Sequence, residues 1–170
     1  MDYQFYLDKF QESANLIDKK ILEEKNLLLY VGVVLDSVCL KLYKKEWSSN
    51  LDDPLNAKTR IFFSVWINDK TLKDKRLFYN IHALKLRELK GYSITSRNFA
   101  ADFRIRFKDF EDHWENINLK LGPLTLMEGW KNLDDTNLEN SILDLAKNFL
   151  EIEPLIEQTL EIFNESKKQN

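Results

Sequence analysis

The sequence predicts an α+β domain, an antiparallel sheet of four to five strands covered by N-terminal, central Phe-rich and C-terminal helices. Apolar residues recur at steps of three and four near both ends and once in the middle, the stripe of an amphipathic helix. Between the first two stripes lie several runs with the two-residue alternation of strands. Strands that follow one another without intervening helices favour antiparallel pairing over crossovers. The chain has 170 residues, 44% of them hydrophobic, which suits one domain with a substantial core. A single domain over residues 1–170 is therefore expected, with a frayed polar tail from about Glu165 to Asn170.

The first stripe is Tyr3, Tyr6, Phe10, Ala14, Ile17 and Ile21, which predicts one helix over that span. From Leu27 the pattern changes to a dense aliphatic run ending at Leu35, followed by alternation through Val38, Leu40 and Leu42 against Cys39, Lys41 and Tyr43. Two strands joined by a turn at Asp36-Ser37 fit best. Residues 48–58 collect turn-formers around Pro54 and read as an exposed connection. Arg60 to Ile67 alternates with Ile61, Phe63, Val65 and Ile67 on one side and Phe62, Ser64 and Trp66 on the other. That third strand is apolar on both faces. The polar stretch Asn68 to Thr71 turns the chain toward Leu77–Leu86, a fourth strand with a helix as competitor, since Leu77, Ile81 and Leu84 also fit a helical step.

Thr95-Ser96 offers a hydroxyl N-cap before Phe99, Phe103, Phe107, Phe110 and Trp114, which predicts the Phe-rich helix. Ile117 to Leu121 alternates briefly before Gly122-Pro123, suggesting a short fifth strand that Leu124-Thr125-Leu126 could continue. Thr136-Asn137-Leu138-Glu139 matches a capping box and opens the last stripe, Leu138, Ile142, Leu145, Phe149 and Ile152, carried on by Ile156, Leu160 and Phe163. Pro154 removes a donor from that stripe, so a kink or two consecutive helices are expected there.

Cys39 is the only cysteine, so no intrachain disulfide can form. The first residues lack the basic and apolar regions of a secretory signal, and a cytoplasmic location is expected. The longest apolar run, Leu27 to Leu35, falls well short of the roughly 20 residues a membrane-spanning helix needs. Charge is segregated along the chain. Residues 1–57 hold 7 Lys+Arg and 10 Asp+Glu, residues 58–108 hold 13 and 4, and residues 109–170 hold 5 and 14. The basic middle either presents cations such as Lys85, Arg87, Arg97, Arg104 and Lys108 to phosphates or an acidic protein, or is neutralised by the acidic C-terminal helices. A pI near 5.5 weighs against a dedicated nucleic-acid binder.

No complete catalytic or cofactor motif is present. His82 and His113 have no Cys or His partner at metal-ligand spacing; His82 reads as a partly buried core histidine and His113 as a helix-end cation. Four glycines in scattered positions build no phosphate-cradling loop, and Cys39 reads as a small core residue. Glu88-Leu89-Lys90, placed at the end of a predicted strand, resembles the Glu-x-Lys half of metal-dependent restriction-like nucleases. In that chemistry a carboxylate pair holds a divalent ion and the lysine assists the attacking water, but the acids Asp69 and Asp74 fall in a turn. The stretch Gly122–Trp130 carries Met127 and Trp130 and reads either as an apolar lip for a partner or as a closure over the sheet. Together these features point first to a non-enzymatic module binding another protein, second to a nucleic-acid-associated protein using the basic 58–108 segment, and last to a nuclease using Glu88 and Lys90. No cofactor or assembled set of reactive surface groups is expected.

Overall fold

The alternating runs fold into β1 (Leu28–Val34), β2 (Ser37–Ser48), β3 (Arg60–Ile67), β4 (Arg76–Leu84) and β5 (Thr125–Asn132). In the computed structural model, which describes residues 1–168, they form one sheet in chain order with every neighbour antiparallel. The first hairpin turns at Leu35-Asp36, one residue earlier than expected, with both residues at positive φ (48° and 62°). Such a pair twists in the sense of the flanking strands. The strand reading of 77–86 prevails over the helical one because Leu77, Tyr79, Ile81 and Ala83, at a period of two, all enter the core.

The helices are α1 (Tyr3–Asn15), α2 (Lys19–Glu24), α3 (Asp69–Lys73), α4 (Ser96–Phe107), α5 (Leu138–Ile162) and α6 (Glu165–Lys168). The N-terminal stripe is thus two helices rather than one, because the Asp18 carboxylate accepts from the Lys20 amide and starts a new helix. A reciprocal Asn68–Thr71 cap makes a short helix of the polar stretch expected to be only a turn. Thr95 caps α4 by accepting from the Asn98 amide. That helix tightens into 3-10 turns from Lys108 to His113.

The capping box proposed at Thr136 and Glu139 does not form. The Thr136 hydroxyl donates to Asp134 Oδ1 at 2.7 Å, Glu139 accepts from Lys9 Nζ at 2.7 Å, and α5 starts after Asn137. α5 then runs 25 residues through Pro154 as one helix. Burial of Ile152, Glu153, Leu155 and Ile156 on both sides of the proline holds the turn by packing where a donor is missing. Residues 165–168, expected to fray, form α6, and residues 169–170 lie outside the described residues.

The helices form a layer on one face of the sheet, with α5 across β3, α1 on the β1–β2 side and α4 toward β5. Val38, Leu40 and Leu42 of β2 and Ile61, Phe63, Val65 and Ile67 of β3 meet them in one core. Phe63 and Phe149 stack there with centroids 4.5 Å apart. At the end of that face Lys44 lies against Glu153 and Glu157, and the Trp47 indole donates to Glu157 at 2.9 Å. The alternate residues of β2, β3 and β4, Cys39, Lys41, Phe62, Ser64, Asn80 and His82, point away from the helices.

Candidate site on the open face of the sheet

Strand register sets the geometry of that second face. One row across all five strands is Tyr30, Lys41, Ser64, Asn80 and Glu128. The row on one side is Gly32, Cys39, Trp66, Phe78 and Trp130, and on the other Leu28, Tyr43, Phe62, His82 and Thr125. A polar track therefore runs between two largely aromatic walls. On β3 the small Ser64 stands between Phe62 and Trp66, whose Cα atoms are about 14 Å apart at strand spacing, which leaves a notch over the hydroxyl. The result is an open hollow of about 460 Å³ lined by Lys41, Arg60, Phe62, Ser64, Trp66, Asn80, His82 and Glu128, among others. That size is within the range of small-molecule sites.

The walls are ordered by ring contacts. Trp66 stacks on Phe78 with centroids 5.0 Å apart, Phe62 lies 5.3 Å from His82, and Arg76 covers Trp130 at 4.1 Å. The polar groups of the track are incompletely satisfied. Lys41 is 8% exposed and has no carboxylate within ion-pair distance among the described residues; its Nζ sits 4.5 Å from the centre of the Phe62 ring. Arg60 donates one guanidinium N–H to the Ala57 carbonyl, while its buried Nε has no acceptor among the described residues. Asn80 Nδ2 donates to Glu128 Oε2 over a long 3.4 Å, and its buried Oδ1 has no donor among the described residues. His82 Nδ1 is 3.1 Å from the Thr125 hydroxyl.

Burial governs the ionisation of the hollow. It pulls the Lys41 ammonium below the ordinary lysine value, and the nearby Arg60 cation adds to the shift. It also lowers His82, against the raising effect of its contact with the Leu124 backbone and of the Glu128 charge. Burial raises the Cys39 thiol. At neutral pH His82 is thus an uncharged imidazole and Cys39 a thiol.

The residues singled out in the sequence are distributed differently from expectation. His82 is hydrogen-bonded as expected, but it lies on the open face rather than in the core. Glu88 sits in the 3-10 turn Leu86–Glu88 beyond the strand, exposed and 2.9 Å from Lys58, and Lys90 is exposed beyond it. Among the described residues no group of three or more His, Cys, Asp or Glu could hold a metal ion. Arg104 is turned inward: Nε and Nη2 donate to the carbonyls of Leu121, Gly122, Thr125 and Leu126, pinning the segment that leads into β5. Lys85, Arg87, Arg97 and Lys108 are exposed, and His113 is exposed 3.7 Å from Glu151. The apolar lip Gly122–Trp130 is mostly strand β5, so Met127 is in the core at 0% exposure and Trp130 lies on the open face. The short strand expected at 117–121 is reduced to a single bridge between Asn118 and Glu128.

Lys41, Ser64, Asn80 and Glu128 were not singled out by sequence. Two signals were available: β3 is apolar on the side away from its core residues, with a serine between two large aromatics, and β2 carries a lysine between Cys39 and Tyr43. No protein-family model, curated protein or solved structure matches the chain.

Proposed function

We propose that this protein is a binding protein whose site is the open face of the sheet and whose ligand is a small molecule carrying a planar ring and an anionic group. The single observation behind this reading is Lys41, a lysine 8% exposed overall whose ammonium lies over the Phe62 ring in a solvent-connected hollow with no carboxylate beside it among the described residues. Removing a cation from water costs several kcal/mol unless an anion or hydrogen-bond acceptors compensate. A ligand anion entering the hollow would supply that compensation, and the aromatic walls would stack a ring. Leu35 at the hairpin tip supports the same reading. It is 93% exposed on the rim of the hollow and adopts φ 48°, a conformation and exposure that disfavour leucine unless it contacts something.

Calorimetric titration against a panel of nucleotides, aromatic carboxylates and inorganic phosphate tests the proposal. A planar anion is expected to bind, and Lys41→Met is expected to weaken it by about tenfold or more, the worth of one charge-assisted hydrogen bond. Absence of binding by every planar anion, or affinity unchanged in Lys41→Met, contradicts it.

A second reading, contact with nucleic-acid phosphates through the 58–108 segment, draws support from where the acids of α5 go. Glu139, Glu153 and Glu157 pair with Lys9, Lys25 and Lys44, cations of the first 57 residues. Retention on heparin at low salt, lost steeply as salt rises, is its expected signature. The protein-interaction reading loses the loop on which it partly rested, because that segment is a strand of the sheet.

A further inference from the structure

We infer that the ligand is a nucleoside phosphate lying along the polar row, its phosphate at Lys41 and Arg60 and its base at Asn80 and Glu128, with a base edge offering adjacent N–H donors as guanine does. This rests on the proposed ligand site. It adds a direction and a chemical class.

The direction follows from the order of groups across the strands. The β2 and β3 side of the hollow holds two cations, Lys41 and Arg60, and the β4 and β5 side holds an amide and a carboxylate, Asn80 and Glu128. Three strand spacings separate β2 from β5, about 14 Å between backbones. A bare phosphate or a benzoate would occupy one end of such a track. A nucleoside phosphate reaches from end to end.

Each part of such a ligand meets a complementary group of the hollow. The Arg60 guanidinium and the Lys41 ammonium both lie against the Phe62 ring at the wall of the hollow, and a phosphate there would neutralise Lys41 while accepting from the outer guanidinium N–H groups. The notch over Ser64 lies beside the Trp66 ring, one face of which stacks on Phe78, and the other face would stack a planar base. At the far end stand two neighbouring acceptors: the Glu128 carboxylate, which among the described residues receives the long 3.4 Å contact from Asn80, and Asn80 Oδ1, which is buried without a donor among them and which a small rotation of the side chain would bring to the ligand.

That pair selects among bases. Guanine presents a ring N–H beside an exocyclic amine, two adjacent donors for two acceptors. Adenine and cytosine place an acceptor beside their amine, and uracil places its one N–H between two carbonyls, which a carboxylate repels.

The test is calorimetric titration of wild type, Lys41→Met and Glu128→Gln with GMP, IMP, guanosine and inorganic phosphate, with circular dichroism melts confirming that each variant folds. IMP lacks the exocyclic amine and guanosine lacks the phosphate. GMP is expected to bind wild type about tenfold more tightly than either, the worth of one hydrogen bond to a charged group. Glu128→Gln, whose amide oxygen still accepts but carries no charge, should shrink the GMP/IMP difference and keep the GMP/guanosine one; Lys41→Met, which leaves Arg60 to the phosphate, should shrink the GMP/guanosine difference and keep the GMP/IMP one. Equal affinity for GMP and IMP in wild type, or a GMP/IMP ratio unmoved by Glu128→Gln, overturns the inference. If an aromatic carboxylate binds through Lys41 and no nucleotide does, the inference falls and the ligand site stands. If no planar anion binds, both fall.

Discussion

A lysine that is 8% exposed and faces no carboxylate destabilises the folded chain whenever it is charged. Burial lowers the Lys41 pKa below its unfolded value, so the folded state binds fewer protons than the unfolded chain between the two values. Stability rises with pH across that window. Lys41→Met is therefore expected to melt at a higher temperature than wild type at pH 7, with the gain shrinking as pH climbs through the depressed lysine pKa; melts recorded across pH check this. Lys44 behaves in the opposite way. Burial pulls its pKa down, but hydrogen bonds to Glu153 and Glu157 outweigh that and hold it above the ordinary lysine value. Its contribution is fully present below the unfolded lysine pKa and is lost as pH rises through the raised folded one. Lys44→Met leaves Glu153, 4% exposed at its side chain, with only Lys25 at 3.2 Å, and should cost about 3 kcal/mol in urea denaturation. Leu35→Asn puts at this positive φ a residue whose short polar side chain can hydrogen-bond to the local backbone and should stabilise by roughly 0.5–1 kcal/mol, while weakening ligand binding if the rim leucine touches the ligand.

Caps and strand edges decide where the elements begin. Thr95→Ala should cost about 1 kcal/mol in the same denaturation experiment, since Thr95 satisfies an amide at the start of α4. The stripes and alternations were legible because each has a buried face, and the hydrophobic period reports burial directly. What stayed illegible lies where a side chain had two possible partners. Asp18 could have continued the first helix and instead caps a second one, and Thr136 turned to Asp134 rather than to the backbone. β5 was read as either a lip or a closure over the sheet because Gly122 and Gly129 bracket its apolar residues. Gly129 is there for space: a Cβ would lie 2.2 Å from the Tyr79 hydroxyl, which donates to the Glu115 carbonyl. Gly129→Ala is accordingly expected to lower the melting temperature by displacing Tyr79 from that bond.

Across the molecule, the placement of α1, α4 and α5 on one side is what creates a site. The sequence predicted helices over one face of an antiparallel sheet, and that is the fold found. It could not show the consequence, because Lys41, Ser64, Asn80 and Glu128 come from four separate strands and share a row only through register. None of them belongs to a spaced motif. The strand alternation that identified the core also marked, by subtraction, the residues facing the other way. Eight residues that line the hollow, Arg60, Phe62, Ser64, Trp66, Asn68, Asn80, His82 and Leu84, lie in the basic middle segment. The most direct test of the open face as the ligand surface is a map of backbone amide NMR shifts during titration with each nucleotide and aromatic carboxylate of the calorimetric panel. Saturable shifts centred on Lys41, Ser64, Asn80 and Glu128 are the expected result; shifts confined to α1, α4 and α5, or none at all, would contradict it.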